Sequence, residues 1–554
     1  MTPDVPPPYP PRLSTGVAGL DLILEGGFVR GSVYIAEGPP GAGKTLLANQ
    51  LCFHGARNGE RALYVTLLAE THERMLTYLR RMAFFDEALI PDQVYFISAF
   101  RALQQDGLPA LLRLLRETIM QRQATILIID GMVTAEEISL SRSASANALM
   151  QDAGSSQHFK QFIHDLQTIC SMTGCTVLLL SSTERPRLFH PAYTMVDGIL
   201  ELTNELSGLK TIRQIHVRKM RGVAQVVGKH HFEIRDAGVV VHPRMETQLH
   251  SPEDSRESEE PIGEGKRVPF GVSQFDAMLG GGLPGCSATM IVGPTGTGKT
   301  LLGVQFLAEG ARLGEQGLYF GFFERPSALL RKGQRLGLPL EQYAEAGLIE
   351  FVWQRPIEAV IDELADRLFT TVRRLKIKRL VIDGIQGFQA ALDDYPDRVR
   401  GAFAAMTDEL ERLSVTTLYT VETREVFGPT VEIPVTGVSA VTQNIVLLRH
   451  VELRSSLRLL IAVLKIRDSQ FDRTVRELRI TSQGLRVEDA MDPQEQVLSL
   501  SALYPRSASS TLAGKSARFA SSARFASSAS SAKSAGSAKR VAKPKARKAG
   551  KRKR

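Results

Sequence analysis

Three things are scarce in this 554-residue chain. The first is cysteine. There are four, Cys52, Cys170, Cys175 and Cys286, and none stands in a C-x-x-C pair. That spacing argues against a zinc site and predicts reduced, mostly buried thiols. The second is long apolar sequence. No run of 18 apolar residues occurs, which excludes a hydropathy-defined membrane span. No charged-then-apolar signal segment opens the chain, and the lead "MTPDVPPPYPPR" is too rich in proline for a helix. A cytoplasmic location, with no membrane partner, is the expectation. The third is acid at the far end. Pro505 to Arg554 hold fifteen Lys and Arg and no Asp or Glu, so the net charge of +9 conceals a body, residues 1–504, of net −6.

What the sequence has in abundance is itself. "TGVAGLDLILEGG" (Thr15 to Gly27) is echoed by "FGVSQFDAMLGGG" (Phe270 to Gly282), and "GPPGAGKT" (Gly38 to Thr45) by "GPTGTGKT" (Gly293 to Thr300). Lys44 and Lys299 are 255 residues apart, and Asp130 and Asp383, each ending an apolar run, are 253 apart. Near-constant offsets over several motifs indicate duplicated domains. Between the copies, "SPEDSRESEEPIGEGK" is acidic and poor in apolar residues, a solvated linker. The expected division is a Pro-rich lead over 1–11, a first domain over 12–247, a linker over 248–266, a second domain over 267–488 and an Ala/Ser/Lys/Arg-rich disordered tail over 489–554.

Within each copy, short apolar runs alternate with longer helical patterns. The first has "SVYIAE", "ALYVTLL", "VYFIS", "TILIID" and "TVLLLS"; the second has "ATMIV", "GLYFGFF", "IEFVW", "RLVID" and "TTLYT". Continuous apolar runs suit strands buried on both faces, and alternation with helices implies α/β domains with mostly parallel sheets.

The G-x-x-x-x-G-K-T stretches are phosphate cradles. Gly38, Gly41 and Gly43, and in the second copy Gly293, Gly296 and Gly298, let the backbone wrap phosphates with its N–H groups inward. The following helix adds the positive end of its dipole. Lys44 and Lys299 are expected to reach the β- and γ-phosphates of ATP, and Thr45 and Thr300 to hold Mg²⁺. Asp130 and Asp383 fit the second Mg²⁺ contact.

These motifs, with two later basic ones, resemble the RecA/KaiC branch of P-loop ATPases and the KaiC family most closely, over nearly all of 12–488. The resemblance implies tandem RecA-like domains in a two-tiered hexameric ring, with ATP between neighbouring subunits. It also implies a circadian signalling role, with a second tier that phosphorylates itself on Ser and Thr. By the same resemblance "VRKMRG" (Val217 to Gly222) and "VLKIRD" (Val463 to Asp468) supply cations to a neighbour's γ-phosphate, namely Lys219 and Arg221, then Lys465 and Arg467. The other reading of each pair is a solvated edge-strand charge.

The match breaks in two places. The family has adjacent Glu residues after the second strand, where a carboxylate orients or deprotonates the attacking group. Here Ala69 precedes Glu70 and Phe323 precedes Glu324, so only the second Glu of each pair remains. Glu70 and Glu324 either substitute as catalytic carboxylates or are surface residues beginning a helix. In "TGVSAVTQNIVLLRHVE", Ser439 matches the family's phosphoacceptor Ser, but Ala440 replaces the neighbouring Thr, and Pro434 stands where another Thr is expected. A two-site phosphorylation cycle is not expected; modification of Ser439 alone stays open.

The basic tail would attract nucleic acid or another polyanion in a salt-dependent way, with Phe519 and Phe525 available to stack. A solubility tail, or contact with an acidic partner surface, the body's own negative face included, are the other readings; signalling proteins are separate expected partners. Three function classes follow: a slow ATPase with serine autokinase activity, a DNA-processing motor of the recombinase or helicase type, and a nucleotide-gated scaffold whose catalysis has decayed. The Cys-rich zinc segment and protease-like domain of RadA proteins are missing, which counts against the motor.

Overall fold

A computed structural model describes residues 11–68, 72–135, 148–183, 191–207, 210–248, 265–355, 360–423, 442–453, 456–467 and 469–490. The first copy opens with a small antiparallel pair, β1 (Arg12–Leu13) and β2 (Phe28–Val29). Nine further strands follow: β3 (Val33–Gly38), β4 (Ala62–Thr66), β5 (Val94–Ser98), β6 (Ile126–Asp130), β7 (Thr176–Ser182), β8 (Gly198–Ser207), β9 (Lys210–Met220), β10 (Lys229–Arg235) and β11 (Gly238–His242). They form one sheet in the order β11-β10-β9-β8-β3-β7-β6-β4-β5.

The second copy repeats this arrangement. After the pair β12 (Arg267–Val268) and β13 (Leu283–Pro284) come β14 (Ala288–Gly293), β15 (Gly317–Gly321), β16 (Ile349–Trp353), β17 (Arg379–Asp383), β18 (Thr416–Glu422), β19 (Asn444–Leu453), β20 (Ser456–Lys465), β21 (Arg476–Thr481) and β22 (Gly484–Ala490). Their order, β16-β15-β17-β18-β14-β19-β20-β21-β22, is the first sheet's order read from the other edge.

The expected strands are all present. β3 shows why they read as unbroken apolar runs: it is buried at every position, because both of its faces are covered. Tyr34 and Ala36 face one core with the helix Lys44–Arg57, while Val33 and Ile35 face the other with Phe159 and Phe162. The six strands from β8 to β5 along the sheet are parallel. The strands β9, β10 and β11 are antiparallel to their neighbours, a wing the sequence reading did not anticipate. β20, β21 and β22 make the same wing on the second sheet.

The two copies touch through the end of the first. The short helix Met245–Gln248 places Met245, 3% exposed, in the second domain's core beside Ile361 and Leu364. Arg398 donates two hydrogen bonds of 2.8 Å to Glu246 and reaches Asp362 at 2.7 and 3.1 Å. Arg235 on β10 meets Glu363 at 2.7 Å.

The thiols of Cys52, Cys170 and Cys175 are buried, that of Cys286 is half-buried, and all four are free. Among the described residues, no helix is long and apolar enough to cross a membrane, and no cluster of His, Cys, Asp or Glu is suited to a metal ion by itself.

Candidate functional site

Each central strand runs into a loop and then a helix. β3 ends at Gly38 and is followed by the helix Lys44–Arg57; β14 ends at Gly293 and is followed by Lys299–Arg312. A left-handed glycine precedes each helix, Gly43 at φ 94° and Gly298 at φ 80°. A Cβ there would lie 3.1 Å from Ile234 Cδ1 or Ile480 Cδ1. Glycine is thus favoured both by backbone conformation and by space. Neither of these residues offers a side-chain cap, so the first-turn N–H groups face the loop, where an anion satisfies them.

The lysines turn back over the loop. Lys44 Nζ donates to the carbonyls of Gly38 at 2.7 Å and Pro39 at 2.9 Å, and Lys299 Nζ to those of Gly293 at 2.8 Å and Pro294 at 2.7 Å. Burial lowers both ammonium pKa values; Asp130 opposes this at Lys44, and Glu422 and Asp383 oppose it at Lys299. A buried cation bonded to carbonyl dipoles is a donor set that a polyphosphate fits.

The carboxylates come from a strand two places along each sheet. Asp130 ends β6 and Asp383 ends β17. Thr45 Oγ1 lies 3.3 Å from Asp130 Oδ2, and Thr300 Oγ1 lies 2.9 Å from Asp383 Oδ2. A hydroxyl beside a carboxylate offers the oxygen ligands a Mg²⁺ ion takes.

Two further residues hold these carboxylates. Tyr64 OH donates to Asp130 Oδ2 at 2.6 Å, and Tyr319 OH donates to Asp383 Oδ2. Burial, reinforced by the neighbouring Asp charge, raises both phenol pKa values and keeps them as donors. Thr420 Oγ1 adds a bond of 2.6 Å to Asp383 Oδ1. The sequence reading missed the tyrosines, yet they are 255 residues apart, the spacing of the two cradle lysines. Carrying the repeat through strand by strand would have found them.

In the second domain, Lys299, Thr300, Asp383, Phe323 and Glu324 line one cavity of about 480 Å³. Phe323 is 63% exposed and lies over the turn after Asp383: a Cβ on Gly384 would stand 2.4 Å from its ring. Glu324 accepts hydrogen bonds from Lys332 at both carboxylate oxygens. Glu70 with Ala69, Ser439 with Pro434 and Ala440, and the tail with Phe519 and Phe525 lie outside the described residues.

The basic pairs are not brought to the cradle of their own domain. Lys219 pairs with Ile199 and Met220 with Gly198, beside Tyr34 near the amino end of β3, while the cradle follows its carboxyl end. Lys219 Nζ donates to the carbonyls of Tyr193 at 2.7 Å and Val196 at 2.6 Å, and Arg221 Nη1 to that of Met195 at 3.0 Å. Lys465 sits likewise at the amino end of β14, opposite Ile445, and donates to Thr442 O at 2.9 Å; Arg467 is exposed beyond it.

The family model for the KaiC ATPase matches residues 13–246 and again 268–492. The circadian clock oscillator protein KaiC of Picosynechococcus sp. is 25% identical over 502 residues, covering 88% of this chain and 92% of its own. That of Rippkaea orientalis is 26% identical over 506 residues, covering 88% and 91%, and the clock protein KaiC 1 of Synechocystis sp. is 25% identical over 511 residues, covering 90% and 93%. With both copies matched end to end, the chain belongs to the KaiC ATPase family.

Proposed function

We propose that this chain is a Mg²⁺-dependent ATPase that binds one ATP per domain and completes each site with a neighbouring copy in a ring of six. The observation that carries this reading is the duplicated constellation of a desolvated Lys, a Thr–Asp pair and a Tyr at near-constant spacing. Lys44 and Lys299 bind the β- and γ-phosphates. Thr45 with Asp130, and Thr300 with Asp383, hold the Mg²⁺, which when bound draws charge from the transferred phosphoryl group.

The position of Lys219 and Arg221, and of Lys465 and Arg467, at the strand end opposite the cradle supports their action on another subunit's nucleotide. On this reading, turnover depends on assembly. Glu70 and Glu324 are the carboxylates that orient the attacking water. Single-site autophosphorylation at Ser439 and a clock-like signalling role are the finer parts of the proposal, suggested by the relatives' names and the family resemblance. The basic tail is the proposed contact for a polyanion or protein partner. One observation favours a second reading, a nucleotide-gated scaffold: Phe323 occupies the first carboxylate position and Glu324 is already paired.

The test uses the full chain with γ-labelled ATP and Mg²⁺, following released phosphate and protein-bound label together. Turnover reduced by Lys44→Ala and by Lys299→Ala is expected, with a rate per subunit that rises with protein concentration. Bound label that disappears in Ser439→Ala establishes the autokinase. Tight nucleotide binding without turnover establishes the scaffold instead.

A further inference from the structure

The ion pair between Glu324 and Lys332 sits inside the second domain's candidate nucleotide cavity, and the sequence of the first domain carries no lysine at the position matching Lys332. Lys332 Nζ donates to Glu324 Oε1 at 2.5 Å and Oε2 at 2.6 Å, so a single ammonium engages both oxygens of the carboxylate. Both side chains line the cavity that also contains Lys299 and Asp383. Lys332 lies two turns into the helix Pro326–Arg335, eight residues beyond Glu324. Eight residues beyond Glu70 stands Tyr78, which is 60% exposed and carries no charge to donate.

We infer that Lys332 is a partner-switching clamp: it holds Glu324 while the cavity lacks a polyphosphate, and transfers to the terminal phosphate when ATP enters. This rests on the nucleotide reading above. A carboxylate that accepts from one ammonium at both oxygens has a lone pair on each already engaged and is held facing the cation, so it is poorly placed to take a water proton. In hydrolysis the water oxygen bonds to the γ-phosphorus as the bond from phosphorus to the bridging oxygen breaks. The electron pair leaves on ADP, and the water proton needs an acceptor. Glu324 can take it only once released.

The means of release is in the same cavity. Lysine is a point charge on a flexible four-carbon stem, able to exchange one anion for another. Its side chain is 40% exposed and that of Glu324 is 26% exposed, so neither is locked by packing. A triphosphate carries more negative charge than one carboxylate and arrives on the side where Lys299 and Arg335 already face the cavity. Nucleotide binding and arming of the carboxylate then become one event in the second domain. Lys332 thus restrains Glu324 in the empty cavity and binds the terminal phosphate in the loaded one.

The partner switch makes a prediction that a static salt bridge does not. While Glu324 competes with phosphate for Lys332, removing its charge tightens ATP binding, and only when Lys332 is present. The experiment measures the Kd of the full chain for a fluorescent non-hydrolysable ATP analogue with Mg²⁺, in a Lys44→Ala background that silences the first cradle. Thermal unfolding of each variant confirms that it is folded. Relative to that background, Lys332→Met is expected to weaken binding roughly tenfold, the scale of one hydrogen bond to a charged group, and Lys332→Arg to preserve most of it. Glu324→Gln should tighten binding about three- to tenfold, and this gain should vanish in Lys332→Met/Glu324→Gln. Unchanged affinity in Glu324→Gln, or equal tightening with and without Lys332, overturns the clamp; the second result would mean simple repulsion between Glu324 and phosphate. Binding that survives Lys299→Ala in this background would instead sink the nucleotide reading, and the clamp with it.

Discussion

His242 and Asp366 face each other across the junction of the two domains, with Nδ1 3.3 Å from Oδ2. The contact is an ion pair rather than an aligned hydrogen bond; the other ring nitrogen, Nε2, lies 2.8 Å from Glu233 Oε1. Burial disfavours the charged ring, but Asp366 and Glu233 outweigh it and raise the pKa to about 9. His231, whose ring stacks at 6.1 Å, is pushed by burial to about 4 and stays neutral beside it. Arg235 shares Glu233 from the same strand.

A raised folded-state pKa gives stability that is complete below the unfolded value of about 6.5 and lost as the pH climbs through 9. Asp366 is more than half exposed, so solvent screening reduces the effect to on the order of 1–2 kcal/mol. The unfolding midpoint is expected to fall between pH 6.5 and 9.5 by more in the native chain than in His242→Gln. Parallel pH curves for the two proteins would show that this contact does not contribute.

The same junction depends on packing. Met245 lies in the second domain's core, and truncation there leaves a cavity, so Met245→Ala should cost about 2–5 kcal/mol. Arg398 is the cation for both Glu246 and Asp362. The Asp362 side chain is 1% exposed, and its pKa is raised by burial against the pull of Arg398. Arg398→Met strands that carboxylate and should cost about 3–5 kcal/mol. Calorimetry of either variant should resolve two transitions at lower temperature. A single transition at the native midpoint would mean that the domains do not rely on these residues.

Thiol reactivity offers a simpler check on burial. Loss of solvation raises the thiol pKa of Cys52, Cys175 and Cys286, and pushes Cys170 up to about 12. Since the thiolate is the nucleophile, a pKa near 12 suppresses it roughly 10³-fold at neutral pH relative to a free cysteine. Cys286, the one half-buried thiol, should react first with a maleimide in the folded protein, with the other three following only on unfolding. Rapid modification of all four would contradict the packing around β7 and the helix Lys44–Arg57.

What could be read from the sequence follows the physics of each element. Val33 to Gly38 and Arg379 to Asp383 are buried on both faces, so composition alone marks them as strands, and the glycines and lysines between strand and helix have few other uses. The antiparallel wings were harder to see. Along β9 buried and half-exposed residues are mixed, and the shift in register between Ile199 and Leu200 breaks its alternation. Met245 looks like any apolar residue at the end of a domain, and Lys332 like any helix-surface lysine. Their roles come from partners more than 100 residues away for Met245, and from a shared cavity for Lys332. Tyr64 and Tyr319 were legible through the repeat but are masked by their own strands, where an aromatic residue is ordinary.

The two sheets also differ at one matched position, and the difference can be tested by exchange. On β9 the extra residue of the bulge is Arg218; on β20 it is Leu464, left out where Ile445 pairs with Lys465 and Val446 with Val463. Arg218 Nη1 donates to Glu37 Oε1 at 2.7 Å, and Tyr193 OH donates to the other oxygen. Glu37 directly precedes the first cradle glycine and has a side chain only 1% exposed; Val292 holds that place before the second. Replacing Arg218 by Leu, the second domain's solution, removes the cation from a buried carboxylate and should cost about 3–5 kcal/mol in urea unfolding. Glu37→Val alone leaves Arg218 partly exposed and near Glu201, so it should cost less. The double variant Glu37→Val/Arg218→Leu recreates the apolar pairing and should recover most of the loss. A deficit of about 1 kcal/mol should remain, since the Tyr193 hydroxyl loses an acceptor. The coupling between the two substitutions should therefore be large and favourable, measured as a difference of urea midpoints at equal slope. A double variant no more stable than Arg218→Leu would mean that Arg218 stabilises the bulge itself rather than the charge beneath the cradle.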